Sequence, residues 1–82
     1  MSDETPAVVL DTYPVLTMTQ LAYVLHLVYE RGERKGQPDR RRAVELCRSG
    51  RLPLIDPDLP NIRWTVSATN VRRYIDRDEM VA

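Results

Sequence analysis

The residues in this sequence whose type and spacing carry chemistry are its arginines. Arg40, Arg41 and Arg42 stand together, Arg48 and Arg51 follow at short intervals, and Glu45 lies among them. Arg34 and Lys35 precede the cluster, and Asn61 and Arg63 come after it. A guanidinium is a planar fork of donors that grips two acceptors at once, such as two phosphate oxygens or the O6 and N7 edge of guanine. The chemistry on offer is anion and base-edge recognition. Bond-making chemistry finds little material. His26 and Cys47 are the sole histidine and cysteine, too few for a His/Cys zinc site. No second titratable group stands at catalytic spacing from His26, which lies off the apolar stripe of its helix. Gly32, Gly36 and Gly50 form neither G-x-G-x-x-G nor a phosphate-cradling loop. No nucleophile–base pair or facing carboxylate pair is visible, so the expectation is a non-enzyme without cofactor or metal.

Charge is balanced in total and segregated along the chain. Twelve Lys/Arg oppose twelve Asp/Glu, a net charge of zero over 82 residues. Residues 1–30 hold Asp3, Glu4, Asp11 and Glu30 without a single Lys or Arg, a net −4; residues 31–51 sum to +5 and residues 52–82 to −1. Zero is therefore an acidic arm plus a basic middle. A chain this short is one domain. One cysteine cannot form an internal disulfide and suits a reducing cytoplasm. The acidic M-S-D-E-T-P start is unlike a signal peptide, and no apolar run approaches the roughly 20 residues of a membrane span.

The elements that must position the arginines are short. Residues 1–14 lack helical periodicity, and Val8, Val9 and Leu10 either clip onto the core as a strand or belong to a disordered arm. Thr17 to Gln20 fits a capping box, followed by an apolar stripe of Leu21, Val24, Leu25 and Val28. Residues 30–37, E-R-G-E-R-K-G-Q, read as a flexible connection, either a solvated loop or one whose Arg31, Arg34 and Lys35 reach phosphates. A second helix begins at Asp39, a good N-cap, and stops at Gly50. On its wheel Leu46, Ala43, Cys47 and Val44 form one arc, with Cys47 a small core residue, and Arg48, Arg41, Glu45, Ser49 and Arg42 form the other. Arginines in a first turn oppose the helix dipole. Glu45 can pair with Arg41 and Arg48, which leaves Arg40 and Arg42 without obvious partners. Leu54-Ile55 and Ile62 to Val66, separated by the proline-rich residues 56–61, predict a hairpin with Trp64 as a core anchor. Ser67 caps a third helix carrying Ala68, Val71, Tyr74 and Ile75 inward, and the tail from Asp76 is expected to fray.

Helix, helix, hairpin, helix predicts a mainly α winged helix-turn-helix (α-α-β-β-α) over residues 16–76, after an acidic arm at 1–15 and before a tail at 77–82. In such a fold the second helix enters the major groove and the wing reaches the backbone or minor groove. The sequence resembles a known family at R-S-G-R-L-P (48–53), W-T-V-S (64–67), V-R-R-Y-I (71–75) and Leu16 to Ala22. These are similar to motifs of the small winged-helix excisionases of temperate phages and their MerR-like relatives, and the arginine-rich composition points to a mycobacteriophage member. The resemblance implies a recombination directionality factor, not an enzyme. Such a protein binds repeated sites in attachment-site DNA, head to tail, bends the DNA and directs the phage integrase towards excision in the bacterial cytoplasm. Carried over by position, the recognition-helix contacts are Arg40, Arg41, Arg42, Glu45 and Arg48. Arg63 with Asn61 forms the wing contact, and Arg51 sits near a phosphate at the helix–wing corner. The family's tight turn between its first two helices is replaced here by about ten residues. Two other readings stay open: a small Cro-like phage repressor, and an interaction module whose acidic arm pairs with another chain's basic face.

Overall fold

Leu16 and Val66, distant in sequence, face each other across a short antiparallel ladder, and both are fully buried. Strand β1 (Val15–Thr17) pairs with β2 (Thr65–Ser67) in the register Val15↔Ser67, Leu16↔Val66, Thr17↔Thr65. The flanking residues of β1 point to solvent, the alternation that a pleated strand imposes. The computed structural model describes residues 5–81, with side chains through Arg77. Among the described residues the fold is mixed α/β: α1 (Pro6–Thr12), α2 (Met18–Val24), α3 (Arg40–Arg48) and α4 (Ala68–Val81) surround the one strand pair.

Residues 6–12 are helical, a correction to the expected strand-like clip or disordered arm. Thr5 caps α1 by accepting from the Val8 amide at 3.3 Å, and Pro6 fills the first helical position, where its missing N–H costs nothing. Only Val9 of this helix is buried, so it is too short to display an apolar period. An Asp11–Arg72 ion pair ties α1 to α4. Asp3 and Glu4 of the expected acidic arm lie outside the described residues.

The capping box at α2 forms as expected: Gln20 N donates to Thr17 Oγ1 at 3.2 Å, and Thr17 N donates to Gln20 Oε1 at 2.9 Å. The helix stops at Val24, earlier than the stripe through Val28 predicts. Leu27 N donates to Ala22 O at 2.8 Å and His26 N to Tyr23 O at 3.3 Å, the two bonds of a Schellman C-cap. His26 takes the left-handed conformation there, with φ of 60°. The chain beyond is no loose connection. Asp39 N reaches Leu27 O at 2.7 Å, Tyr29 N reaches Gln37 O at 3.0 Å, and Gly36 N reaches Tyr29 O at 2.9 Å, so residues 27–39 form a stapled excursion. Its glycines, Gly32 and Gly36, both have positive φ and turn the chain.

Helix α3 begins and ends where the sequence predicts. Asp39 accepts from Arg41 N at 3.1 Å, and Gly50, with φ of 85°, ends it. Ser67 caps α4 by accepting from Asn70 N at 3.1 Å, and α4 runs to Val81 where fraying was expected from Asp76.

The expected hairpin of 54–55 with 62–66 is replaced by a looser arrangement. Ile55 N still donates to Thr65 O at 3.0 Å, but β2 takes β1 as its ladder partner and residues 61–63 form a 3-10 turn. Pro53, Pro57 and Pro60 remove donors and fix φ through this stretch, so it cannot supply a continuous strand. Trp64 is half-buried at the core's edge, with its indole Nε1 donating to Leu59 O at 2.7 Å. The core combines Val9 of α1, Leu21 of α2, Ala43, Val44 and Cys47 of α3, Leu52, Val66 and Val71 of α4.

Candidate nucleic-acid interface

Helix α3 is two-faced as predicted. Ala43, Val44 and Cys47 are buried, whereas Arg41, Arg42, Glu45, Arg48 and Ser49 are exposed. The partners of those exposed groups sort the expected contacts. Arg48 Nη1 pairs with Glu45 Oε1 at 3.2 Å, one of the two ion pairs expected of Glu45. Arg41 has no ion pair among the described residues and projects from the first turn.

Two arginines expected to lack partners have them. Arg42 lies 3.3 Å from Glu30 Oε1 and 3.7 Å from Asp39 Oδ2. The shorter contact, to Glu30, is well exposed, so Arg42 can exchange that carboxylate for another anion, while Asp39 is largely buried. Arg40 is more committed: its Nη2 donates to Asn61 O at 2.7 Å and to Asn61 Oδ1 at 3.2 Å. It holds the 51–64 loop against α3. The helical wheel carries the signal for this, since Arg40 falls between Cys47 and Val44 on the buried arc. Asn61 is correspondingly occupied, because both its oxygens accept from Arg40.

The stapled 27–39 excursion places Arg31, Arg34 and Lys35 at the N-terminal end of α3. The Glu30–Arg42 pair joins its base to the first turn of the helix. Arg34 lies over the Tyr29 ring, its guanidinium carbon 5.8 Å from the centroid. A contact of this kind orients the guanidinium without neutralising it. Arg41, Arg34, Lys35 and Arg31 are all exposed and free of ion pairs among the described residues, with Glu33 the one acid within residues 31–35.

The 55–64 loop is less basic than a DNA-reaching hairpin requires. Arg63 is its one cation, against Asp56 and Asp58. It also exposes Ile55 and Ile62, the latter 76% accessible. At the other end of α3, Arg51 faces Arg73 and Arg77 of α4, two residues that the sequence reading did not select. Their four-residue spacing on one helical face is the signal that could have found them. Between these regions an open groove of about 680 Å³ has an apolar floor including Leu27, Leu46 and Ile75, with Arg42 and Arg51 at its rim.

Cys47 behaves as a core residue. It is a buried free thiol whose pKa burial pushes up to about 11, away from the thiolate that a nucleophile needs. His26 is exposed and is explained by the helix end it forms. No group of three or more potential metal ligands occurs among the described residues, and none of their helices is long and apolar enough to cross a membrane. No protein-family profile, no curated protein and no solved structure matches the chain.

Proposed function

We propose that this protein binds duplex DNA through α3 as the reading helix of a winged helix-turn-helix, and that it acts as a phage excisionase, bending attachment-site DNA for the integrase. The observation that carries the reading is the exposed α3 face, with Arg41 uncompensated in the first turn and the 31–35 cations beside it. Helix dipoles disfavour cations at that end, so stability alone gives no reason for the arrangement. A phosphate or guanine edge supplies one. In this reading the 51–64 segment serves as the wing, with Arg63 as its single cationic contact and Asp56 and Asp58 restricting how closely it approaches phosphates.

The interaction-module reading has less support. The arm's one described acid, Asp11, already has a basic partner in the same chain, Arg72.

The test is a mobility-shift titration combined with footprinting. About five phosphate contacts give a slope of about −4 to −5 in log affinity against log salt. Protection of spaced repeats beside an integrase core site supports the excisionase, and a promoter footprint assigns the protein to transcriptional regulation instead. A flat salt response excludes DNA binding of either kind. Arg41→Ala is expected to weaken the specific site by about 1–3 kcal/mol more than random DNA if the side chain reads a base.

A further inference from the structure

After α3 the chain turns at Gly50 and brings Arg51 against α4. Arg51, Arg73 and Arg77 line one open concavity of about 290 Å³, together with Asn70 and Tyr74. Among the described residues no carboxylate lines it and none of the three arginines forms an ion pair. Arg42, Arg48 and Arg72 each rest on a carboxylate, whereas Arg51, Arg73 and Arg77, like Arg31, Arg34 and Arg41, do not among the described residues. Arg51 just beyond α3 complements that helix's negative end. That accounts for Arg51 and leaves Arg73 and Arg77 unexplained, since like charges four residues apart destabilise a helix. Asn70, Arg73, Tyr74 and Arg77 share one face of α4, so guanidinium forks and a neutral amide converge on one opening. A tetrahedral oxyanion with several acceptor oxygens satisfies such a donor set, whereas a planar carboxylate uses one fork and leaves the others repelling.

We propose that Arg51, Arg73 and Arg77, with Asn70, form a phosphate-binding site at the C-terminal end of α3. Resting on the reading of α3 as the DNA-reading helix, its ligand is a backbone phosphate across the groove from those met by Arg41 and Lys35. The nine residues of α3 span about 13 Å. The major groove is about 12 Å wide. Cations at the two ends of the helix thus stand far enough apart to meet both walls of the groove.

The double variant Arg73→Gln/Arg77→Gln tests the site, since both side chains are exposed and glutamine keeps the helix propensity. Thermal melts are run with inorganic pyrophosphate against sodium chloride at matched ionic strength, and DNA binding is titrated with salt. Pyrophosphate is expected to raise the wild-type midpoint and to leave the double variant unmoved. The DNA salt slope should become shallower by about 2, with specific and random DNA weakened alike. A double variant that keeps both the pyrophosphate response and the wild-type slope overturns the site. Loss of the pyrophosphate response with an unchanged slope supports a phosphate site and overturns its assignment to the DNA backbone. A shallower slope without a pyrophosphate response supports the site with DNA as the phosphate source. If the wild-type protein binds no DNA at any salt, the DNA reading fails while the pyrophosphate comparison still decides the site.

Discussion

Arg40 was expected to touch DNA and is instead bonded within the chain, which makes Arg40→Ala the most informative single substitution. Its Nη2 bridges Asn61 O and Asn61 Oδ1 at 2.7 and 3.2 Å, the one side-chain bond from α3 to the 51–64 loop among the described residues. Charged hydrogen bonds contribute about 1.5–3 kcal/mol each. Both of these are reached by water, so we take about 1.5 kcal/mol for the two together. Removing a cation from the first turn returns about 0.5 kcal/mol by relieving its opposition to the dipole. The net loss is about 1 kcal/mol, equivalent to a fall in Tm of about 4–8 °C for a domain of this size. Trp64 supplies a local probe. It is the single tryptophan and its indole bonds to Leu59 O in the same loop, so its fluorescence reports the loop in the native protein. Arg40→Ala is expected to lower Tm and shift that emission, and Arg41→Ala to do neither while losing more DNA affinity. If Arg40→Ala melts with the wild type and weakens DNA binding as Arg41→Ala does, Arg40 is a DNA contact and the bridge to Asn61 is not a feature of the protein in solution.

Two further substitutions probe the helix end and the core. His26 holds a left-handed conformation at the C-cap of α2, where a side chain costs about 1–2 kcal/mol and glycine nothing. Part of that gain is offset by glycine's greater freedom when unfolded, so His26→Gly should raise stability by about 0.5–1 kcal/mol in a urea melt; an unchanged or lower midpoint refutes the assignment. Burial raises the Cys47 thiol from 9.0 to about 11. The folded state therefore holds its proton more tightly than the unfolded chain does, and the stability linked to that proton is complete below pH 9 and lost as pH rises through 11. Melts of Cys47→Ala and wild type between pH 8 and 11 should differ in slope over that window. Parallel slopes contradict the burial.

The helix starts and the end of α3 were legible because their determinants are local. Thr17, Asp39 and Ser67 each satisfy an amide within three residues, and Gly50 supplies the positive φ that ends α3, so neighbouring residue types are enough to place them. The two-faced surface of α3 follows from its period in the same way. Helix α1 escaped notice because one buried residue makes no period, although Thr5-Pro6 is a start signal. The early end of α2 was hidden by an apolar stripe that continues into a stapled excursion, where Val28 pairs with Pro38 instead of extending a helix.

What the sequence alone determined about this protein is where helices begin, which side of α3 meets water and where its positive charge is concentrated. Each depends on residues a few positions apart. Tertiary structure decided the partner of β2, the commitment of Arg40 to Asn61, the pairing of Arg42 with Glu30 and the meeting of Arg51 with Arg73 and Arg77. A strand's hydrogen-bonding edge and an arginine's donors accept many partners of equal chemistry. Which partner is met depends on where the packed core brings distant segments together, and no local pattern encodes that.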